Sequence, residues 1–140
     1  MRNQRALWIS AAVLWCAGIY AFTASPVSTG ANTQGLIEQA IPVSSAASEA
    51  VNVILRKTGH IFAFGILSVL IYMGLRPRKQ AFVISWLIAT GYGALDEWHQ
   101  SFVPGRAAAW TDVGIDSLGA LAALLLIGAL RPRITRSTEQ

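Results

Sequence analysis

"AFVISWLIATGYGALDEWHQSFVPGRAAAWTDVGIDSLGALAALLLIGAL", residues 81–130, sets two apolar runs on either side of a polar patch. The first run, 81–95, has 15 residues, and the second, 113–130, has 18. Eighteen helical residues cover roughly 27 Å, close to the hydrocarbon core of a bilayer at about 30 Å. The shorter run matches that thickness only if its helix continues through Asp96–Gln100, so a helix is expected over 81–100. Pro104-Gly105 is a turn signal, and a second helix is expected over 112–130. The pair forms an antiparallel hairpin that carries acids, a histidine, a glutamine and an arginine at its closed end.

Two further apolar runs lie upstream, "ALWISAAVLWCAGIYAFTA" at 6–24 and "TGHIFAFGILSVLIYMGL" at 58–75. Apolar residues make up 54% of the 140 and charged ones 13%, and a soluble chain this short has too little surface to cover four such helices. The expected fold class is all-α. It is a polytopic membrane protein, a small bundle of four transmembrane helices (6–24, 57–75, 81–100, 112–130) in one domain, 1–140. The first run exceeds a signal-peptide core of about 7–15 residues, and Pro26 crowds the nearest cleavage positions, so it is read as a retained span. The loop 25–56 contains two stretches of helical spacing, "NTQGLIEQAI" and "SSAASEAVNVILRKTGH". They predict one or two short interfacial helices between helices one and two, lying on the outer leaflet, with a loosely ordered loop as the alternative. Ser45 or Ser48 ahead of Glu49 is the expected cap. Residues 133–140 are expected to fray.

The formal charge of +4 is a topology signal rather than a nucleic-acid patch. Arg2, Arg5, Arg76, Arg78, Lys79, Arg131, Arg133 and Arg136 fall on one side of the four spans. Arg56, Lys57 and Arg106 fall on the other. The positive-inside rule puts both termini in the cytoplasm of a multi-pass protein of the bacterial inner membrane. Six of the acids, Glu38, Glu49, Asp96, Glu97, Asp112 and Asp116, sort to the outer side. Cys16 is the sole cysteine, which excludes an internal disulfide and a cysteine-rich metal site; it is expected to serve packing. Gly59 with Ala63 and Gly119 with Ala123 have the spacing of close helix approach. Gly91 and Gly93 are expected to loosen the third helix. Trp98, Trp110 and Tyr92 suit an outer aromatic belt, Trp8 and Tyr72 an inner one.

Ionisable groups at membrane depth normally face the bundle interior and find partners. Asp96 lies about 22 Å above Ala81, still within a core of about 30 Å. Lys57, His60 and Phe64 share a helical stripe, as do Asp96 with Gln100, and Asp112 with Asp116 and Gly119. Glu97 is turned about 100° from Asp96, so only one of the two acids is expected in the cluster. The other is left to the interface or to Arg106. Lys57 or Arg106 is expected to neutralise Asp112 and Asp116, with Arg106 lowered over them by its loop.

The ordered patterns K-x-x-H-x-x-x-F, D-E-x-x-Q-x-F-x-x-G-R and D-x-x-x-D-x-x-G resemble the VanZ-like family of small bacterial membrane proteins. The resemblance covers about residues 25–130. It implies functional positions at Lys57, His60, Asp96, Glu97, Gln100, Arg106, Asp112 and Asp116, and structural ones at Phe64, Phe102, Gly105 and Gly119. Asp116 departs from the pattern, since many relatives carry Asn there. The family takes its name from a member linked to teicoplanin resistance, which implies a part in antibiotic susceptibility at the cell envelope.

Four roles remain open on the sequence, a proton-coupled transporter being the least favoured because four spans are few for one. The cluster is an outward-facing site for an envelope lipid, a lipid-linked precursor or a lipidated glycopeptide, bound through Lys57, His60 and Arg106. Or it is a structural ion-pair network in a partner-binding protein. Or it belongs to a membrane enzyme acting on a lipid-linked head group. The enzyme is the less favoured, because no G-x-S-x-G, H-E-x-x-H or Gly-rich phosphate loop is present. No cofactor is expected. One well-placed histidine among carboxylates is a poor zinc signature, so no metal is expected either; His60, Glu97, Asp112 and Asp116 are the residues that would ligate one. His99 reads as an interfacial residue. The bilayer is the expected partner, with no nucleic acid, and the chain's own oligomeric state is left open.

Overall fold

A computed structural model describes residues 2–106 and 108–130. It holds five α-helices and no strand among the described residues: α1 Arg2–Ala24, α2 Gly30–Ala40, α3 Ser45–Leu75, α4 Ala81–Gln100 and α5 Trp110–Leu130. A short 3-10 turn, Pro26–Ser28, joins α1 to α2. Arg131, Arg133, Arg136 and the tail expected to fray lie outside the described residues.

Among the described residues, three helices are long and apolar enough to cross a membrane: α1, α3 and α5. α4 has comparable length, 20 residues, but its last turn and a half carries Asp96, Glu97, His99 and Gln100, and these lower its hydropathy. The distribution of side chains is inverted relative to a soluble protein. Leu14, Phe22, Leu87, Leu118 and Leu126 are exposed, whereas Asp96, Glu97, Gln100 and Asp116 are buried. Hydrocarbon surroundings produce this pattern, because ionisable groups retreat inward and apolar ones cost nothing outside.

The largest difference from the sequence reading is in 25–56. The spacing in 44–60 joins the apolar run of 58–75, so α3 is one helix of 31 residues, about 46 Å long. It therefore begins at 45, twelve residues before the expected 57. Its cap is Ser44, one residue ahead of Ser45 and four ahead of Ser48, the two expected, and the Ser44 side chain accepts from Ala47 N. α2 packs on the extra turns of α3 instead of lying free on a leaflet. Polar contacts tie the two: Thr33 Oγ1 donates to Asn52 Oδ1 at 2.7 Å, and Gln34 Nε2 donates to Ser48 Oγ at 2.6 Å.

α3 is the hub, touching α1, α2, α4 and α5. Phe64, Leu67, Ala89, Ala120 and Leu124 form the buried core. The tightest crossing is at Gly119, where a Cβ would stand 2.7 Å from the Ile61 carbonyl oxygen. Gly65 meets Ala123 and Gly119 across the same contact, so Gly65, not the expected Gly59, supplies the small surface on α3. A Cβ on Gly59 would meet nothing within 4 Å. Hydrogen bonds across α4 and α5 add to the packing: Trp86 Nε1 donates to Ser117 O, and Thr90 Oγ1 to Ser117 Oγ. Such interhelical bonds contribute about 0.6 kcal/mol each on average. Tyr92 is not a belt residue. Its hydroxyl donates to Cys16 O at 2.7 Å, which pins α4 to α1 and places Cys16 in the packing.

Candidate functional site

α4 ends at Gln100, and the chain reverses through Val103–Arg106. Gly105 has φ +79, the left-handed conformation that the third position of a type II turn requires after proline. Arg106 N donates to Val103 O across it. This turn aims Arg106 back toward the bundle, and the two adjacent acids at the end of α4 then organise two separate polar clusters.

Asp96 organises the first. Its Oδ1 accepts from Thr23 Oγ1 at 2.7 Å and its Oδ2 from Gln100 Nε2 at 2.7 Å. Gln100 Oε1 accepts from Arg106 Nη1 at 2.5 Å. Arg106 Nη2 donates to the backbone oxygen of Ser28 at 2.5 Å and to Ser28 Oγ. The chain of contacts thus runs from α4 through the turn to the α1–α2 link. Arg106 does not cover the acids of α5, as the sequence suggested; its donors go to Gln100 and Ser28. Burial, and next the neighbouring Arg56 cation, pull the Arg106 guanidinium below its ordinary pKa, because two cations in one place repel.

Glu97 organises the second, on the side of α3 and α5. Lys57 Nζ lies 2.9 Å from Asp112 Oδ1, and His60 Nδ1 lies 2.9 Å from Asp116 Oδ1. Lys57 therefore neutralises Asp112, as expected, but among the described residues Asp116 pairs with His60 and with no cationic side chain of fixed charge. Glu97 Oε2 accepts from Ala109 N at 2.8 Å, fixing the start of α5, where Asp112 N donates to Ala109 O. Glu97 Oε1 and Asp116 Oδ2 are buried and have no hydrogen-bond partner among the described residues. His60, Glu97 and Asp112 each offer a ligand atom, all within 4.8 Å of one another. Both acids of the Asp96-Glu97 pair are thus buried, 3% and 2% exposed. The 100° between them sends each to a different cluster, where the sequence reading left one outside.

The structural positions divide. Phe64 is buried, its ring stacked on His60 at 6.1 Å and tilted against Tyr92. Gly93 leaves room for Asp116, since a Cβ there would stand 3.0 Å from Asp116 Oδ2. Phe102 is 68% exposed and packs edge-on against Trp98, so it is apart from both clusters. His99 lies against the Tyr20 ring at 4.3 Å and joins neither.

A cavity of about 650 Å³ opens between α1, α2 and α3, within the range of about 300–1,000 Å³ for small-ligand pockets. Its length is apolar, lined by Trp15, Ile19, Phe22, Leu36, Leu55 and Ala63. One end is polar, with Arg56, His60, Asp96 and Arg106. His60 belongs to both the cavity wall and the second cluster, so the two communicate. Arg56, Thr23, Ser28 and Asn52 were not visible as site residues in the sequence. Arg56 beside Lys57 carries a signal, a cation pair at the start of an apolar run. Thr23 carries none, because its partner is 73 residues away.

A family model, VanZ/LLP1, matches residues 8–131. The chain belongs to the VanZ/LLP1 family. The match spans every helix that builds the cavity and both polar clusters. No curated protein and no solved structure matches the chain.

Proposed function

We propose that this VanZ/LLP1 protein binds an anionic amphiphile of the cell envelope: a lipid, a lipid-linked precursor or a lipidated glycopeptide. The carrying observation is the cavity, apolar along its length with Arg56 and Arg106 lining its polar end. Trp15 to Thr23 measures about 12 Å along α1, a trough for part of an acyl chain in the plane where lipid already lies. At its end, Arg106 Nε is buried without a partner among the described residues. A guanidinium with an open N–H suits a phosphate or carboxylate. Occupancy by a lipidated glycopeptide links this site to teicoplanin-type susceptibility.

In the same reading α4 crosses the membrane with the other three helices, and the polar end faces outward. Its support is the packing of α4 against α3 and α5, together with the grouping of Arg5 and Arg76 at the other end, where Arg5 Nε donates to Arg76 O. Inner-membrane placement with cytoplasmic termini follows from the positive-inside rule. Impermeant maleimide applied outside cells labels Ser101→Cys in a Cys16→Ala background; labelling only after lysis reverses the orientation.

Native mass spectrometry of the delipidated protein with phosphatidylglycerol tests the site. Arg106→Ala is expected to weaken binding about tenfold, the equivalent of about 1.4 kcal/mol. Unchanged affinity in that variant refutes the reading. In a sensitive Gram-positive host, expression raises tolerance to teicoplanin more than to vancomycin, and equal tolerance to both refutes the glycopeptide occupant.

A further inference from the structure

Three carboxylates, Glu97, Asp112 and Asp116, meet at the second cluster with one lysine and one histidine. Lys57 balances one of the charges. Two buried oxygens, Glu97 Oε1 and Asp116 Oδ2, have no partner among the described residues. Uncompensated buried charge is costly, several kcal/mol per ion. With the three acids ionised and His60 neutral, the cluster is left with two negative charges after Lys57, which a single divalent cation matches.

We infer that His60, Glu97 and Asp112 form a divalent-cation site. Their ligand atoms lie within 4.8 Å of one another. Ligands around a zinc ion at bond lengths of about 2.0–2.2 Å stand about 3.4 Å apart, so small side-chain movements close the set. Glu97 is already aimed. Its Oε2 is held by Ala109 N, while the remaining oxygen is buried and free of protein donors among the described residues. Asp116 sits behind His60 rather than on the ion. An ionised Asp116 keeps the imidazole proton on Nδ1, 2.9 Å away, and leaves Nε2 as the nitrogen with a lone pair. This is the outer-shell carboxylate arrangement that orients metal-ligating histidines. Gly93 and Phe64 hold that pair in place: the absent Cβ of Gly93 makes room for Asp116, and the Phe64 ring stacks on His60.

One imidazole and two carboxylates favour a first-row transition ion, Zn²⁺ or Mn²⁺, over Mg²⁺ or Ca²⁺, which take all-oxygen shells. Three protein ligands leave an open position. Lys57 shares Asp112 with the ion, so it competes with the ion for that carboxylate. The expectation of no metal, drawn from the single histidine, is thereby replaced. The site stands on its own and needs no lipid.

The full chain, purified in detergent without added lipid and stripped with EDTA, is titrated with ZnCl₂ or MnCl₂ by calorimetry. One equivalent is expected to bind. Glu97→Gln weakens it at least tenfold, Glu49→Gln (a carboxylate elsewhere on α3) leaves it unchanged, and Lys57→Met tightens it several-fold. Absence of saturable binding to the wild type overturns the site. So does a Glu97→Gln protein that binds as tightly as the wild type, which would place the ion away from Glu97. If Glu97→Gln does not fold, pulsed EPR of the Mn²⁺-loaded wild type decides. Coupling to a histidine nitrogen supports the assignment and its absence overturns it. Lipid binding by the same preparation is a separate readout, so either proposal can fail without the other.

Discussion

Asp96 and Glu97 are neighbours on one helix turn, equally buried, and they end in opposite situations. Every oxygen of Asp96 is occupied, one by Thr23 and one by Gln100. Glu97 has one oxygen on Ala109 N and one with no partner among the described residues. The Asp96 carboxylate ties α1, α4 and the turn together through Thr23, Gln100 and Arg106, the organisation of a structural element, and only Arg106 Nε is left without a partner among the described residues of that network. The Glu97 side gathers negative charge around an orphaned oxygen. A protein retains such a group where something other than its own chain completes it, since an apolar residue would cost less there. The structural reading thus describes the Asp96 carboxylate, and the proposed sites rest on the groups left open, Arg106 Nε and Glu97 Oε1.

Substitutions at the two acids break this contrast or sharpen it. Asp96→Ala has the largest expected effect, a loss of about 3 kcal/mol, because hydrogen bonds to charged groups contribute about 1.5–3 kcal/mol each and two donors lose their acceptor. Thermal unfolding in detergent, with abundance in membranes beside it, measures this. Thr23→Val removes one donor of the same network and is expected to cost about 1.5 kcal/mol. Glu97→Gln is expected to cost nothing in metal-free protein, or to stabilise it. The amide oxygen still accepts from Ala109 N, and the uncompensated charge is gone. If Glu97→Gln destabilises as much as Asp96→Ala, the division into a structural cluster and a site is wrong.

Much of the site was legible because periodicity is local. The stripes Lys57–His60–Phe64, Asp96–Gln100 and Asp112–Asp116–Gly119 follow from 3.6 residues per turn, and in the structure each does present one face to the bundle. The polar ends of three helices meet because their connections are short and antiparallel. The same locality explains the errors. Glycine spacing marked Gly59 as a packing surface, but spacing cannot distinguish a small residue that meets a neighbour from one that lines a cavity. The helical pattern of 44–60 was visible, yet the seam between a polar and an apolar segment looked like a boundary, and only the continuous backbone of α3 shows it is not one. Tyr92 looked interfacial from its composition alone, and its hydroxyl instead finds the Cys16 carbonyl.

The sequence by itself determined an all-helical membrane protein with its acids grouped toward one end and most of its cations toward the other, since run lengths, charge placement and turn residues are properties of neighbouring positions. It also carried the motifs that mark the family. Only the tertiary structure decided which group pairs with which: Arg106 with Gln100 and Ser28, Asp116 with His60, Asp96 with Thr23. Those choices depend on how helices far apart in the chain are rotated and spaced against one another. A rotation of about 100° between two adjacent residues was enough to make one acid a structural tie and leave the other with an open oxygen.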